Sequence, residues 1–171
     1  MCDNLRKKTI EDYVELLYDL QTKKDIVHTN DIAHSLNINP ASVTEILQKL
    51  YDEGYVNYVK YSGTTLTDKG RKIAKATKNR HNTIKEFLIL LGVDKKIAEI
   101  DACEMEHILH KDTMETLLKF VEVVKNCEFT PFWLERIKEY VKSGKLTNCP
   151  PELLEICKNY QKYKNKKISS K

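Results

Sequence analysis

The chain has 171 residues, of which 41% are hydrophobic and 32% charged, with a net charge of +4. This is an ordinary balance for a soluble, helix-rich protein, and its length suffices for one medium domain or two small ones folding without staples. No apolar run nears the roughly 20 residues that cross a bilayer, and MCDNLRKKTIEDY lacks the apolar core of a secretion signal, so a cytoplasmic protein is expected.

Residues 9–21, TIEDYVELLYDLQ, repeat apolar side chains at helical spacing (Ile10, Val14, Leu17; Tyr13, Leu16, Leu20), with Thr9 as the expected cap. VHTNDIAHSLNI offers Thr29 or Asn30 as cap for a short helix ending near Leu36. NINPASVTEILQKLYDEG predicts a third helix: Asn39 caps it, Pro40 suits its first position and Gly54 stops it. Two short helices with a tight turn between them read as a helix-turn-helix. YVNYVKYSGTTLT then alternates apolar and polar residues and breaks at Ser62-Gly63, a β-hairpin. Helix-turn-helix plus hairpin is a winged helix.

A long helix is predicted from Thr67 to about Leu91, stopped by Gly92. LGVDKKIAEIDACEMEHILH predicts the next, and TMETLLKFVEVVKNC another with a stripe of Leu117, Phe120, Val121 and Val124. EFTPFWLERIKEYVKSGKLTNCPPELLEICKNY reads as two more, the last beginning at Pro150-Pro151. The fold class is therefore mostly α. A winged helix-turn-helix DNA-binding domain (1–74) precedes an all-helical dimerisation and metal-binding domain (75–143) and a helical C-terminal extension with a basic tail (144–171).

The charge is unevenly placed. KYSGTTLTDKGRKIAKATKNR and the tail KNYQKYKNKKISSK are basic blocks, fitting phosphate binding or, more blandly, a solvated helix face. The five cysteines (2, 103, 127, 149, 157) are odd in number and form no CxxC pair, which excludes a disulfide framework and a zinc ribbon. Cys103 and Cys127 read as small core filler, as do Cys149 and Cys157, a second metal or redox site being the alternative for the last three. In DACEMEHILH, Cys103, Glu106 and His107 stand at i, i+3 and i+4, on one side of a helix. All three types bind metals when deprotonated, while a half-buried thiol beside a solvated Glu-His pair is the plain alternative.

Four segments, TIEDYVELLYDL, NDIAHSLNINPASVTEILQKLYDEGYVNYVKYSGTTLTDKGRKIA, NRHNTIKEFLILLGV and ACEMEHIL, together resemble the diphtheria-toxin-repressor family and its manganese-transport-regulator branch. These are iron- or manganese-dependent winged-helix repressors, and the resemblance covers about residues 8–125. It implies a two-domain form without the SH3-like third domain of the iron-type proteins. It also implies a metal-ligand set: Asp12 and Glu15 from the first helix, His81 from the linker helix, then Cys103, Glu106 and His107. Asp12 matches the manganese-type branch, where the iron type has Met. Cys103 matches the iron type, where the manganese type has Glu, so the set is a hybrid. A second, ancillary site of the iron type would need a Glu at position 85 and a His at 99. Here these are Lys85 and Glu99, and that site looks broken.

Carboxylate and imidazole donors suit Fe2+ or Mn2+, and one thiolate tilts the set toward Fe2+, with Co2+ and Zn2+ expected to load in vitro. Six donors fit one ion or two sharing Glu106. The third helix is expected to enter the major groove of double-stranded DNA by its first turn. Asn39, Pro40, Ser42 and Thr44 are placed for contact there, Gln48 one turn on, and Val43, Ile46 and Leu47 in the core. Thr29 is a phosphate contact at a helix N-terminus, and Lys60, Tyr61 and Ser62 lie on the wing. Glu104 and His110 are expected at the surface, and His28 and His34 in the DNA-binding head without a named partner.

The implied function is a homodimeric, metal-activated repressor of metal-uptake genes acting on a palindromic operator. It is not an enzyme and has no membrane partner. The alternative is a winged-helix regulator sensing a small organic ligand without metal dependence. A metalloenzyme built on the Cys/Glu/His cluster would need a substrate pocket that no motif provides.

Overall fold

The structure is a computed structural model that describes residues 2–59, 62–146, 148, 150–151 and 153–155, with only the backbone described for 2–6. Among the described residues nine elements follow in order: α1 (Cys2–Gln21), α2 (Thr29–Leu36), α3 (Pro40–Asp52), β1 (Val56–Val59), β2 (Gly63–Leu66), α4 (Asp68–Leu91), α5 (Lys95–Met105), α6 (Lys111–Lys125) and α7 (Phe132–Ser143). The mostly α fold class holds: a winged helix followed by an all-helical unit.

The local reasons are visible residue by residue. In α3 the Asn39 side chain accepts from the Ala41 N–H at 2.8 Å, and Pro40 occupies the first turn, where an N–H would be idle. Val43, Leu47 and Leu50, spaced four and three apart, are its buried stripe. β1 and β2 pair antiparallel from Val56↔Leu66 to Val59↔Gly63, turning their inward residues Val56, Thr64 and Leu66 to the core. Val27 adds a single bridge to Thr64 on the free edge of β2, with paired backbone bonds of 3.1 and 2.8 Å.

Two predicted boundaries shift. α1 begins at Cys2, seven residues before Thr9, which lies inside it. Lys8 reaches Glu104 at 2.7 Å, so the polar first turns gain a tertiary partner that periodicity does not register. α2 is capped by His28, one residue before Thr29, because Asp31 folds back to accept the His28 N–H at 2.8 Å.

α4 is the shaft of the molecule. Thr67 caps it by accepting from the Gly70 N–H at 3.1 Å, and Gly92 ends it at φ +98°, a left-handed stop. Its first half enters the winged-helix core through Ala74, beside Val14, Leu17, Leu47 and Val56. Its second half enters a smaller core through Ile84, with Ala102, Met114, Leu88 and Leu109. The rings of Phe87, Phe120 and Trp133 then link α4, α6 and α7, with centroids 5.6 and 6.1 Å apart. A Cβ on Gly70 would stand 2.1 Å from the Tyr55 carbonyl oxygen. Gly70→Ala gains about 1 kcal/mol of helix propensity, but the backbone clash costs roughly 1–3 kcal/mol. Net destabilisation is expected, read as a lower midpoint in urea.

Of the extension, the amides of Leu153 and Leu154 both bond to the Pro150 carbonyl, at 3.1 and 3.0 Å, a helical turn where one is predicted. Cys149, Cys157 and the basic tail lie outside the described residues.

Candidate metal centre and nucleic-acid interface

Three elements meet at the waist between the two cores. α1 carries Glu11, Asp12 and Glu15, α4 carries Arg80 and His81, and α5 delivers Cys103, Glu106 and His107. The helix predicted through His110 stops at Met105, with Glu106 as its C-cap and a turn over His107–Leu109. The break lets Glu106 and His107 both turn inward, their side chains 1% and 3% exposed, while Cys103 stays exposed at the rim. Cys103 is therefore not the core filler expected of a lone cysteine. Neither is Cys127, exposed on the last turn around Asn126 with its thiol on the Val123 carbonyl at 3.3 Å.

His107 Nε2 lies 2.9 Å from Asp12 Oδ1 and 3.3 Å from Glu106 Oε1. His81 Nδ1 lies 3.3 Å from Glu106 Oε2. The Glu15 and Glu106 carboxyls stand close enough to act on each other. Charges on Glu106, Asp12 and Glu15 all act on the Cys103 thiol. The six residues indicated by the resemblance thus gather in one place.

Crowding sets their protonation. Burial, then the neighbouring Glu15, pushes the Glu106 carboxyl up to about 8, and burial likewise raises Glu15. Burial disfavours a charged His107, but the Asp12 and Glu11 carboxylates beside it outweigh this and hold the ring up to about 9. Burial and then Glu106 raise the Cys103 thiol. At neutral pH the metal-free cluster thus carries protons where a cation would sit.

As they stand, no group of three or more His, Cys, Asp or Glu among the described residues is arranged to hold an ion, the donors being turned on one another. The donor set nevertheless fits a divalent cation. Glu106 Oε2 and His107 Nε2 are buried and have no hydrogen-bond partner, although charged atoms stand 3.3 and 2.9 Å away. Buried polar atoms left without a hydrogen-bond partner are ones a bound cation would satisfy once they lose their protons. The ancillary positions hold an ion pair instead: Lys85 binds Glu99, whose other oxygen lies 3.1 Å from His81 Nε2.

Two residues of the cluster escape the sequence reading. Glu11, 5% exposed, contacts His107 Nδ1 at 2.9 Å and the Arg80 guanidinium at 2.7 Å. Burial disfavours its charge, yet His107 and Arg80 hold its carboxyl below the usual range. The available signal was spacing: Glu11 is one turn from Glu15, and Arg80 precedes His81.

On the winged helix, Thr29, Pro40 and Thr44 line one surface groove of about 410 Å3, with Tyr58 of β1 on its wall. Asn39 and Ser42 are exposed at the same end of α3, as is Gln48 one turn on, its amide donating to Asp52 at 3.0 Å. Thr44 is half-buried, its hydroxyl bonded to the Pro40 carbonyl at 3.0 Å. Ser62 is exposed on the wing, and Lys60 and Tyr61 lie outside the described residues. His28, His34, Glu104 and His110 are all exposed.

Two family profiles cover most of this architecture: the iron-dependent repressor N-terminal DNA-binding domain over residues 7–64, and the iron-dependent repressor metal-binding and dimerisation domain over 67–131. The chain belongs to the iron-dependent repressor family. As a member, it is a metal-dependent, DNA-binding transcriptional regulator and not an enzyme. It is 42% identical over 121 residues to an HTH-type transcriptional regulator of Methanocaldococcus jannaschii, covering 70% of this chain and 97% of that protein. It is 37% identical over 114 residues to the regulator MntR of Bacillus subtilis, covering 67% and 80%. Among solved structures it resembles ScaR with bound Zn2+ (TM-score 0.58, 30% identity, 69% of this chain and 56% of that one). It also resembles a manganese-dependent repressor in complex with manganese (TM-score 0.61, 26% identity, 66% and 52%). The chain spans about half the length of those solved chains. The dimerisation domain also indicates a homodimer, and Ile97, Ile100, Leu118 and Val123 on α5 and α6 are exposed. No helix among the described residues is long and apolar enough to cross a membrane.

Proposed function

We propose that this protein is a cytoplasmic repressor of metal-uptake genes whose DNA affinity rises when Fe2+ or Mn2+ binds Asp12, Glu15, His81, Cys103, Glu106 and His107. The observation that carries this reading is the meeting of α1, α4 and α5 donors across the joint between the DNA-binding and dimerisation units. Three carboxylates so placed repel one another when ionised. A divalent cation offsets that repulsion and ties the head to the dimer helices, which gives the switch a physical cause. Carboxylate and imidazole donors support Fe2+ or Mn2+, and the Cys103 thiolate favours Fe2+, Co2+ and Zn2+ over Mn2+. A two-fold dimer reads a palindromic operator. In this reading Asn39, Pro40, Ser42 and Thr44 enter the major groove with Gln48 behind them, Thr29 takes a phosphate, and Lys60, Tyr61 and Ser62 meet the backbone from the wing.

The test is DNA binding by the anaerobic, metal-free protein, titrated separately with Fe2+, Mn2+ and Zn2+. At least about tenfold tighter binding with Fe2+ or Mn2+ is expected, or 1.4 kcal/mol, within the usual allosteric scale. Metal-indifferent binding would sink the proposal and favour a regulator that senses an organic ligand.

A further inference from the structure

The six donors leave Glu11 and Arg80 unexplained, although both are built into the same cluster. A carboxylate is kept in a protein interior only with strong partners, and Glu11 has two. Its Oε1 meets Arg80 Nη2 at 2.7 Å, and its Oε2 meets His107 Nδ1 at 2.9 Å. Arg80 is itself fixed: Nη2 also donates to the Thr77 hydroxyl at 3.1 Å, and Nε donates to the Glu106 carbonyl oxygen at 3.1 Å.

The direction of these bonds matters. An ionised carboxylate only accepts, so the His107 nitrogen facing it carries the proton. When the ring is neutral, its lone pair is then on Nε2, the nitrogen beside Asp12 and Glu106 that lacks a hydrogen-bond partner. That is the ring state a metal requires of histidine, and a carboxylate behind the ring also raises its strength as a ligand. Arg80 meanwhile holds both Glu11 and the Glu106 carbonyl, which joins directly to the His107 peptide nitrogen. It fixes the carboxylate behind the imidazole and the backbone that presents both donors.

We infer that Glu11, locked by Arg80, is the positioning residue of the metal centre: it sets His107 as the Nδ1–H form and presents Nε2 to the ion. The inference rests on the metal reading proposed above. It assigns Glu11 no bond to the metal.

The experiment compares wild type with Glu11→Gln and Glu11→Leu. Mn2+ affinity is measured by calorimetry on the full chain, and 15N NMR of the His107 ring is recorded on the Zn2+-loaded protein. Gln keeps an acceptor for Nδ1–H but loses the charge, whereas Leu removes both. Mn2+ affinity should fall about tenfold for Gln and about a hundredfold for Leu, the range typical of an outer-shell partner. Wild type should show a protonated Nδ1 and a metal-bound Nε2, and the Leu variant should show faster exchange of the Nδ1 proton. A His107 ring bound through Nδ1, or Mn2+ affinity unchanged in Glu11→Gln and in any folded Glu11→Leu, overturns the inference while leaving the metal reading intact. Should Glu11→Leu fail to fold, the isosteric Gln variant decides alone. A wild-type protein that binds no Mn2+, Fe2+ or Zn2+ overturns the metal reading itself.

Discussion

Replacing Glu106 and His107 together by alanine is expected to abolish the metal response of DNA binding. Both side chains are almost wholly buried at the point where α1, α4 and α5 meet. Each touches donors from another element: Glu106 faces His81, and His107 faces Asp12. Losing both removes two donors and the groups that gather the remaining four. Metal affinity should fall by more than about 100-fold, beyond the loss typical of an outer-shell partner. DNA affinity should equal that of metal-free wild type at every metal concentration. The variant keeps the apolar contacts of Ile84, Ala102 and Met114 and the Arg80 partner of Glu11, but loses stability because buried charges lose partners. Mobility-shift titrations with and without Mn2+, beside circular dichroism melts, read both quantities. A double variant that still tightens on DNA when metal is added would place the sensor elsewhere in the chain.

The second large effect is on pH. Glu106 is raised from 4.5 to about 8, so its neutral form is favoured in the folded protein and stability is lost as pH climbs through that window. His107 is raised from 6.5 to about 9, so its contribution is complete below 6.5 and is lost as pH rises through 9. Both act in one direction. Glu11, held low, acts in the opposite sense, but its gain is complete once pH passes the ordinary carboxylate value of 4.5, below most of that window. The chelator-treated protein should therefore melt at steadily lower temperature from pH 5 to pH 9. Metal displaces the same protons, so its apparent affinity should climb about tenfold per pH unit for each proton released, roughly 100-fold or more between pH 6 and 8. Calorimetry in buffers of different ionisation enthalpy counts the protons. A flat affinity profile would mean that the cluster is already ionised without metal.

The sequence carries the architecture because local chemistry and tertiary packing agree there. Asn39-Pro40 starts α3 and Gly92 stops α4 by rules that act within a few residues. They miss wherever a partner far along the chain decides the outcome. α1 runs back past Thr9, and one of its early side chains, Lys8, meets Glu104, 96 residues away. α5 ends before Glu106, and that break turns Glu106 and His107 inward together. Glu11 is invisible for the same reason. Nothing local marks this acidic residue of α1, and only the arrival of Arg80 and His107 makes it an interior group. The six donors themselves were found through the family pattern and not through spacing.

α4 is one uninterrupted helix of 24 residues, about 36 Å long, fixed in the winged-helix core at Ala74 and in the second core at Ile84. A rod of that length is a lever. With the donors near its middle, a tilt of about 5° displaces one end relative to the other by about 3 Å, close to the 3.4 Å rise between successive base pairs. In a two-fold dimer, under the proposed metal switch, both levers would tilt together, and a sub-ångström adjustment around His81 would be magnified into a change in the spacing of the two recognition helices.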